Sequence, residues 1–342
     1  MITPSHQIIY DWEYQDQQEE CFVTIHFPPT FNPQVLKYVL SEDKTNLILS
    51  MDSPIPIVCG RLWGEVKEIK DVYTSDKYVL SITKQTPEEW PNIIKAVHPE
   101  FESLDPKSAY IQFQELVLEA PKDPQFQHYA IERLVASAQT GFLPALRTYG
   151  SMMLTVNGQQ QNGFTSLKTA ADTYGDPASA YQVGLILAST PEGFTNGISY
   201  LKFAGSKGFH AAYLTLGQIY SPFTEFEAQK DPALAAQYLQ QAIAAGDEMP
   251  QAYNELSKLY AAGVGVEKDL KKAQELLAKG EQLEEHQNRR RYSKEHGETA
   301  PPPEKHEDRS YAGIGKIIAI GGGIAAFVAG FSYAIYKKFS RK

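Results

Sequence analysis

Asn162-Gly163-Phe164-Thr165-Ser166-Leu167-Lys168-Thr169-Ala170 returns 34 residues later as Asn196-Gly197-Ile198-Ser199-Tyr200-Leu201-Lys202-Phe203-Ala204. Self-similarity at such a period marks a stack of like units. Glycines recur around it at Gly141, Gly175, Gly208 and Gly246, at intervals of 34, 33 and 38. Each fits the left-handed turn that ends a helix. Shortly after each comes a small-large pair that opens the next helix: Ala145-Leu146, Ala180-Tyr181, Ala212-Tyr213 and Ala252-Tyr253. The last two copies share Lys-Asp-x-x-x-Ala-x-x-x-Leu, at residues 230–239 and 268–277. Small residues let paired helices approach, and Leu and Tyr at three-to-four spacing fill the seam. One such hairpin cannot bury its own apolar face, so neighbours must stack into a solenoid.

The run Tyr260-Ala-Ala-Gly263-Val264-Gly265-Val266-Glu-Lys268-Asp269-x-x-x-Ala273 resembles the Sel-like repeat, a relative of the tetratricopeptide repeat. The resemblance covers about residues 125–285, within an all-α region expected over residues 105–285. The first copy lacks the Gly-x-Gly loop, and the third carries a longer loop over residues 221–230. The resemblance implies a protein-binding groove lined by the first helix of each hairpin. Aligning the copies on Gly150, Gly184, Gly217 and Ser257 offers Arg147, Gln182, Gln218, Asn254 and Lys258 as groove residues. Tyrosines at 149, 181, 213 and 253 are read first as seam packing. The middle copies are neutral where related domains carry a basic carboxylate clamp, so no clamp is expected.

The first hundred residues alternate with period two between turn signals, which predicts strands over 8–14, 21–26, 35–40, 46–51, 57–62, 71–74 and 78–83. Prolines 28, 29, 54 and 56 punctuate them, since proline cannot donate to a ladder. Short, regular strands of this kind predict an all-β antiparallel sandwich over residues 1–104. The order of an opening aromatic strand, a V-x-I-x-F strand, Gly60-Arg61-Leu62-Trp63-Gly64 and a strand ending Ser81-Ile82-Thr83-Lys84 before Trp90-Pro91 resembles the CS domain. That is the α-crystallin-like sandwich of co-chaperones. The resemblance implies binding of chaperones or unfolded clients, no catalysis, and Trp90 and Pro91 near a partner surface. A core plug is the competing reading of Trp90.

Residues 286–313 are charged and proline-containing, with too few apolar side chains for a core, and read as a tether. Its opening part, to about residue 292, can extend the last repeat helix. Its histidines, 286, 296 and 306, have no spacing that fixes a metal geometry. Residues 317–336, IIAIGGGIAAFVAGFSYAIY, hold no charge. Such a length matches a bilayer core of roughly 30 Å. A single C-terminal transmembrane helix is therefore expected over 314–336, a tail anchor with the preceding domains in the cytosol. Lys316 flanks it, and the short basic tail 337–342 carries Lys337, Lys338, Arg341 and Lys342. A modestly apolar anchor with a basic tail resembles those sorted to mitochondrial-type outer membranes. Its glycines also offer faces on which other translocase helices can pack.

Net charge is −9, but residues 313–342 hold five basic residues and no acidic one, which leaves −14 on residues 1–312. That excess argues against nucleic acid as a partner and is compatible with a basic ligand. Two isolated cysteines, Cys21 and Cys59, make neither a disulfide framework nor a zinc site. The sequence holds no phosphate loop, H-E-x-x-H, C-x-x-C or G-x-S-x-G motif. No enzyme activity, cofactor or metal is therefore expected. The combination resembles outer-membrane translocase receptors of mitochondria and hydrogenosomes. It implies capture of precursor proteins with basic targeting segments, or of the cytosolic chaperones that carry them. A tail-anchored scaffold of endoplasmic-reticulum quality control and a fission-type adaptor are the alternatives.

Overall fold

The computed structural model describes residues 11–27, 32–51, 53–74, 76–101, 104–119, 124–224, 230–246 and 248–297. The expected anchor, its flanking charges and the end of the tether lie outside these residues. Among the described residues no helix is long and apolar enough to cross a membrane. The chain divides into two compact units, residues 1–169 and 170–342.

The first unit opens with an antiparallel β region. Its strands are β1 (Trp12–Gln17), β2 (Glu20–His26), β3 (Lys37–Leu40), β4 (Asn46–Ser50), β5 (Val58–Leu62), β6 (Val66–Tyr73), β7 (Lys77–Lys84) and β8 (Ile94–Ala96). They form two four-stranded sheets, β1-β2-β7-β6 and β3-β4-β5-β8. The period-two pattern sets which faces meet: Cys21, Val23 and Ile25 of β2 and Tyr78, Leu80 and Ile82 of β7 are fully buried with Leu47, Leu49 and Trp90.

Four strands depart from the expected spans. β3 starts only at Lys37, because Pro33–Val35 forms a 3-10 helix. β1 runs on to Gln17, because polar Asp16 completes the inward row by pairing with buried Lys84. β6 begins at Val66, its charged residues Lys67, Glu68, Lys70 and Asp71 standing exposed along an edge. Charges and the bulge between Val66 and Glu68 are how an edge strand resists pairing with other chains. β8, only three residues long, follows the Trp-Pro pair and gave no period to read.

Helix α1 (Pro106–Glu119) packs on this sandwich, with Leu104 and Ala109 in the same core. Buried Asp105 fixes the junction. Its carboxylate accepts from the Ser108 N–H at 3.0 Å, capping α1, and from the Cys59 N–H of β5 at 3.0 Å. Burial pushes the Asp105 carboxyl up to about 6 in spite of these donors. A raised native value means that the folded state holds the proton better than the unfolded chain. Its contribution is fully present below about pH 4 and is lost as pH rises through 6, by roughly 3 kcal/mol. Asp105→Asn is expected to remove that loss. In urea melts the stability difference between variant and parent should change by this amount between pH 4 and 7, and a constant difference would contradict the assignment.

The helical remainder comprises α2 (Pro124–Gln139), α3 (Leu143–Thr155), α4 (Gln160–Tyr174), α5 (Pro177–Ala188), α6 (Phe194–Ser206), α7 (Ala211–Tyr220), α8 (Pro232–Ala244), α9 (Pro250–Ala262) and α10 (Leu270–His296). Helix α4 crosses the division between the units. The expected punctuation is met: Gly141, Gly175, Gly208 and Gly246 all have φ between 65° and 92°. Helix α10 continues through His296, beyond the end expected for the repeats, and closes on Gly297 at φ 68°.

Candidate functional site

The hairpins close through one recurring joint. A Cβ on Gly150 would lie 2.6 Å from Leu167, one on Gly184 2.8 Å from Leu201, and one on Gly217 2.6 Å from Leu239. Each leucine follows four residues after Gly163, Gly197 or Ala235, whose carbonyls stand 3.1, 3.1 and 3.4 Å from the same would-be methyls. The leucine is the knob and the glycine the hole, so each hairpin closes with its first helix in a fixed rotation. In α9 the hole is filled by buried Ser257.

That rotation decides which side chains remain accessible. Counted from the aligned small residue, Arg147 and Asn254 stand at position −3, Gln218 and Lys258 at +1, one turn apart on one face. Gln182 stands at −2, on the shoulder. Within the first unit Arg147 is exposed; within the second Gln182 and Gln218 are half-buried. Tyr181, Leu185 and Leu214 share that partly open face, so it mixes apolar and neutral polar groups.

The last hairpin departs from the pattern. Asn254 turns toward α10, where a Cβ on Gly280 would lie 2.2 Å from its Oδ1. Lys258 is held by Glu255 at 2.7 Å, with side chains only 12% and 16% exposed. Its charge is therefore largely spent within α9.

The tyrosines serve the seam. The Tyr181 hydroxyl meets Thr215 Oγ1 at 3.1 Å, its ring lies 4.8 Å from Phe209, and Tyr213 stacks on Tyr238. Tyr149 and Tyr253 are half-buried. A second tyrosine–threonine bond of the same kind joins Tyr110 of α1 to Thr148 at 2.9 Å. The sequence reading missed this ladder, although its signal was present: Thr148 and Thr215 both stand two residues before the aligned glycine.

In the sandwich, Trp90 is a core residue, 1% exposed, and Pro91 beside it is exposed. The Lys84 ammonium explains the spacing of the Lys and Trp-Pro signals. Its side chain is fully buried, it donates to Asp16 and to the Glu88 carbonyl at 2.5 Å each, and it lies 5.0 Å from the Trp90 ring centre. The Tyr14 hydroxyl, with one proton to share, lies 3.1 Å from Asp16 Oδ1 and 3.0 Å from the Trp90 carbonyl oxygen. Burial alone would raise Asp16, but donors Lys84 and Tyr14 and the Lys84 charge hold it below the usual carboxylate value. Lys84 thus staples the Trp-Pro segment, leaving Pro91 rather than Trp90 for contact.

No family model matches the chain. No curated protein matches it. Solved structures similar to it include a Sel1 repeat protein from Oxalobacter formigenes, 20% identical, covering 65% of this chain and 84% of that one at a TM-score of 0.41. Another is c5321, a protective antigen of uropathogenic Escherichia coli with an SLR fold, 18% identical over 59% and 50% of the two chains at 0.40. The nuclear movement protein of E. cuniculi is 17% identical over 26% of this chain and 100% of that one at 0.21. None reaches a TM-score of 0.5, so the reading of the site rests on its residues.

Among the described residues the arrangement offers partly open helix faces and no reacting constellation. Among the described residues no three His, Cys, Asp or Glu side chains gather as a metal site requires. Cys21 and Cys59 are buried free thiols, each pushed up to about 12 by burial. Neither is an activated nucleophile at neutral pH.

Proposed function

We propose that the chain is a non-catalytic receptor that captures other proteins along the open faces of its first repeat helices. The supporting observation is the recurring Gly–Leu joint, which leaves equivalent helix faces partly accessible in successive hairpins. Open helix faces of this kind suit protein partners better than small molecules. In the finer form of the proposal the chain is tail-anchored through residues 314–336 in the outer membrane of a mitochondrion or related organelle. There it takes precursors with basic targeting segments, or their chaperones. The excess of acidic residues before the anchor and the basic tail after it support that form.

Two measurements test it. A like charge on the open face, Gln218→Lys, is expected to weaken binding of a basic amphipathic precursor segment roughly tenfold in a titration at low salt. Unchanged affinity would count against this face. Reversing Lys337, Lys338, Arg341 and Lys342 to Glu is expected to send the tagged protein to another membrane. Retention on the same organelle would defeat the targeting argument.

A further inference from the structure

The tyrosine–threonine ladder brings α1 into the array. Tyr110 reaches Thr148 of α3 as Tyr181 reaches Thr215 of α7. The helix starts alike as well. Asp105-Pro106-x-Ser108-Ala109-Tyr110 matches Asp176-Pro177-x-Ser179-Ala180-Tyr181, and each aspartate caps its helix through the serine N–H, at 3.0 and 2.8 Å. The following helix keeps the spacing of the later copies. Ala130, Leu134 and Gly141 stand at the intervals of Gly197, Leu201 and Gly208, and of Ala235, Leu239 and Gly246. Leu134 is fully buried, as Leu201 and Leu239 are. Helices α1 and α2 are therefore a further hairpin of the array, with buried Phe113 in the place of the glycine hole.

That equivalence sets where the open face begins. Positions −3, +1 and +5 from Phe113 are Tyr110, Gln114 and Leu118, which lie one turn apart on one face, and Val117 stands beside them at +4. Val117 and Leu118 are 44% and 76% exposed. In or just beyond the other first helices the same two positions hold Leu154-Thr155, Ala188-Ser189, Ser221-Pro222 and Ala261-Ala262. Among the described residues only α1 presents two exposed large apolar side chains there. The surroundings are acidic. Residues 108–132 carry Glu115, Glu119, Asp123 and Glu132 against Lys122 alone, four negative charges to one positive. An apolar pair among carboxylates complements a segment that is apolar on one side and basic on the other.

We propose that the end of α1, through Val117 and Leu118, is the apolar anchor point for the basic amphipathic segments that the open faces receive. The inference rests on the receptor reading and names one of its contacts. The segment's apolar stripe covers Val117 and Leu118, and its basic residues lie toward Glu115 and Glu119. Asp105 ties the start of the same helix to the Cys59 N–H of β5, so the anchor point is held in place before the partner arrives.

The test titrates the full-length chain, in nanodiscs of zwitterionic lipid, with a synthetic basic amphipathic helix, empty discs serving as the blank. Leu118→Ser is expected to weaken binding roughly tenfold, the loss of one buried leucine contact. Val39→Ser removes a 60% exposed apolar side chain from the sandwich and is expected to change nothing. A peptide with serine in its apolar stripe should bind the parent and Leu118→Ser equally weakly, because it lacks the same contact. Unchanged affinity in Leu118→Ser beside a loss in Gln218→Lys would overturn the anchor point and leave the receptor reading standing. Unchanged affinity in both variants would overturn both. Equal losses from Leu118→Ser and Val39→Ser would also overturn the anchor point, since any exposed apolar side chain would then serve.

Discussion

Gly197→Val is expected to unfold the second unit at modest denaturant, at a cost of at least about 3 kcal/mol. In an isolated helix glycine is the poorer residue, by about 1 kcal/mol against alanine, so propensity predicts no such loss. The helix crossing reverses the sign. A Cβ on Gly197 would stand 2.3 Å from the Ala188 nitrogen and 2.7 Å from the Gly184 carbonyl, and backbone atoms cannot step aside. Gly208→Ala is the internal comparison. Its φ is 92° with nothing within 4 Å among the described residues, so the cost is left-handed backbone alone, about 1–2 kcal/mol. Urea melts of the two variants read the difference. A Gly197→Val protein as stable as Gly208→Ala would mean that the hairpins do not close through this joint.

The second large effect is in the sandwich. Lys84→Met leaves Asp16, with a 16% exposed side chain, facing an apolar neighbour and strips the Glu88 carbonyl of its donor. Breaking a buried pair from one side costs about 3–5 kcal/mol. Adding Asp16→Leu should restore part of that loss, because the stranded charge is then removed. The pH dependence follows from the sign of the Asp16 shift. A carboxyl held low stabilises above its unfolded value near 4, and the gain is lost as pH falls through the lower native value. In Lys84→Met this acid sensitivity should be reduced, as seen by near-ultraviolet circular dichroism titration. If the single variant matched the parent in stability at pH 7, Lys84 would not be the staple described here.

Period was legible wherever one physical cause acted alone. Glycines 141, 175, 208 and 246 stood out because only a left-handed turn recurs with that spacing. Strands β2 and β7 stood out because one face of each is buried. The reading lost accuracy where two causes overlapped. The polar end of β1 fell outside the expected strand 8–14, since Asp16 is inward-facing only by virtue of Lys84, 68 residues away. The charged run of β6 hid an edge strand, and edges are charged because they are edges.

The site was less legible than the fold. Arg147, Gln182, Gln218, Asn254 and Lys258 were chosen by register, and register fixes a face but not a neighbour. Asn254 meets Gly280 across its own hairpin, and Lys258 meets Glu255 on its own helix. Neither contact has a period. Trp90 carries the same lesson, for its spacing from Lys84 reflects a staple inside the sandwich.

The central claim, that the open faces of the first repeat helices receive other proteins, is tested most directly by photo-crosslinking in intact cells. A photoreactive residue at position 218, on the open face of α7, is compared with one at position 240, exposed on α8. The account predicts that position 218 captures proteins bearing basic targeting segments, or their cytosolic chaperones, and that position 240 captures few or none. Equal capture from both positions, or none from 218, would contradict it.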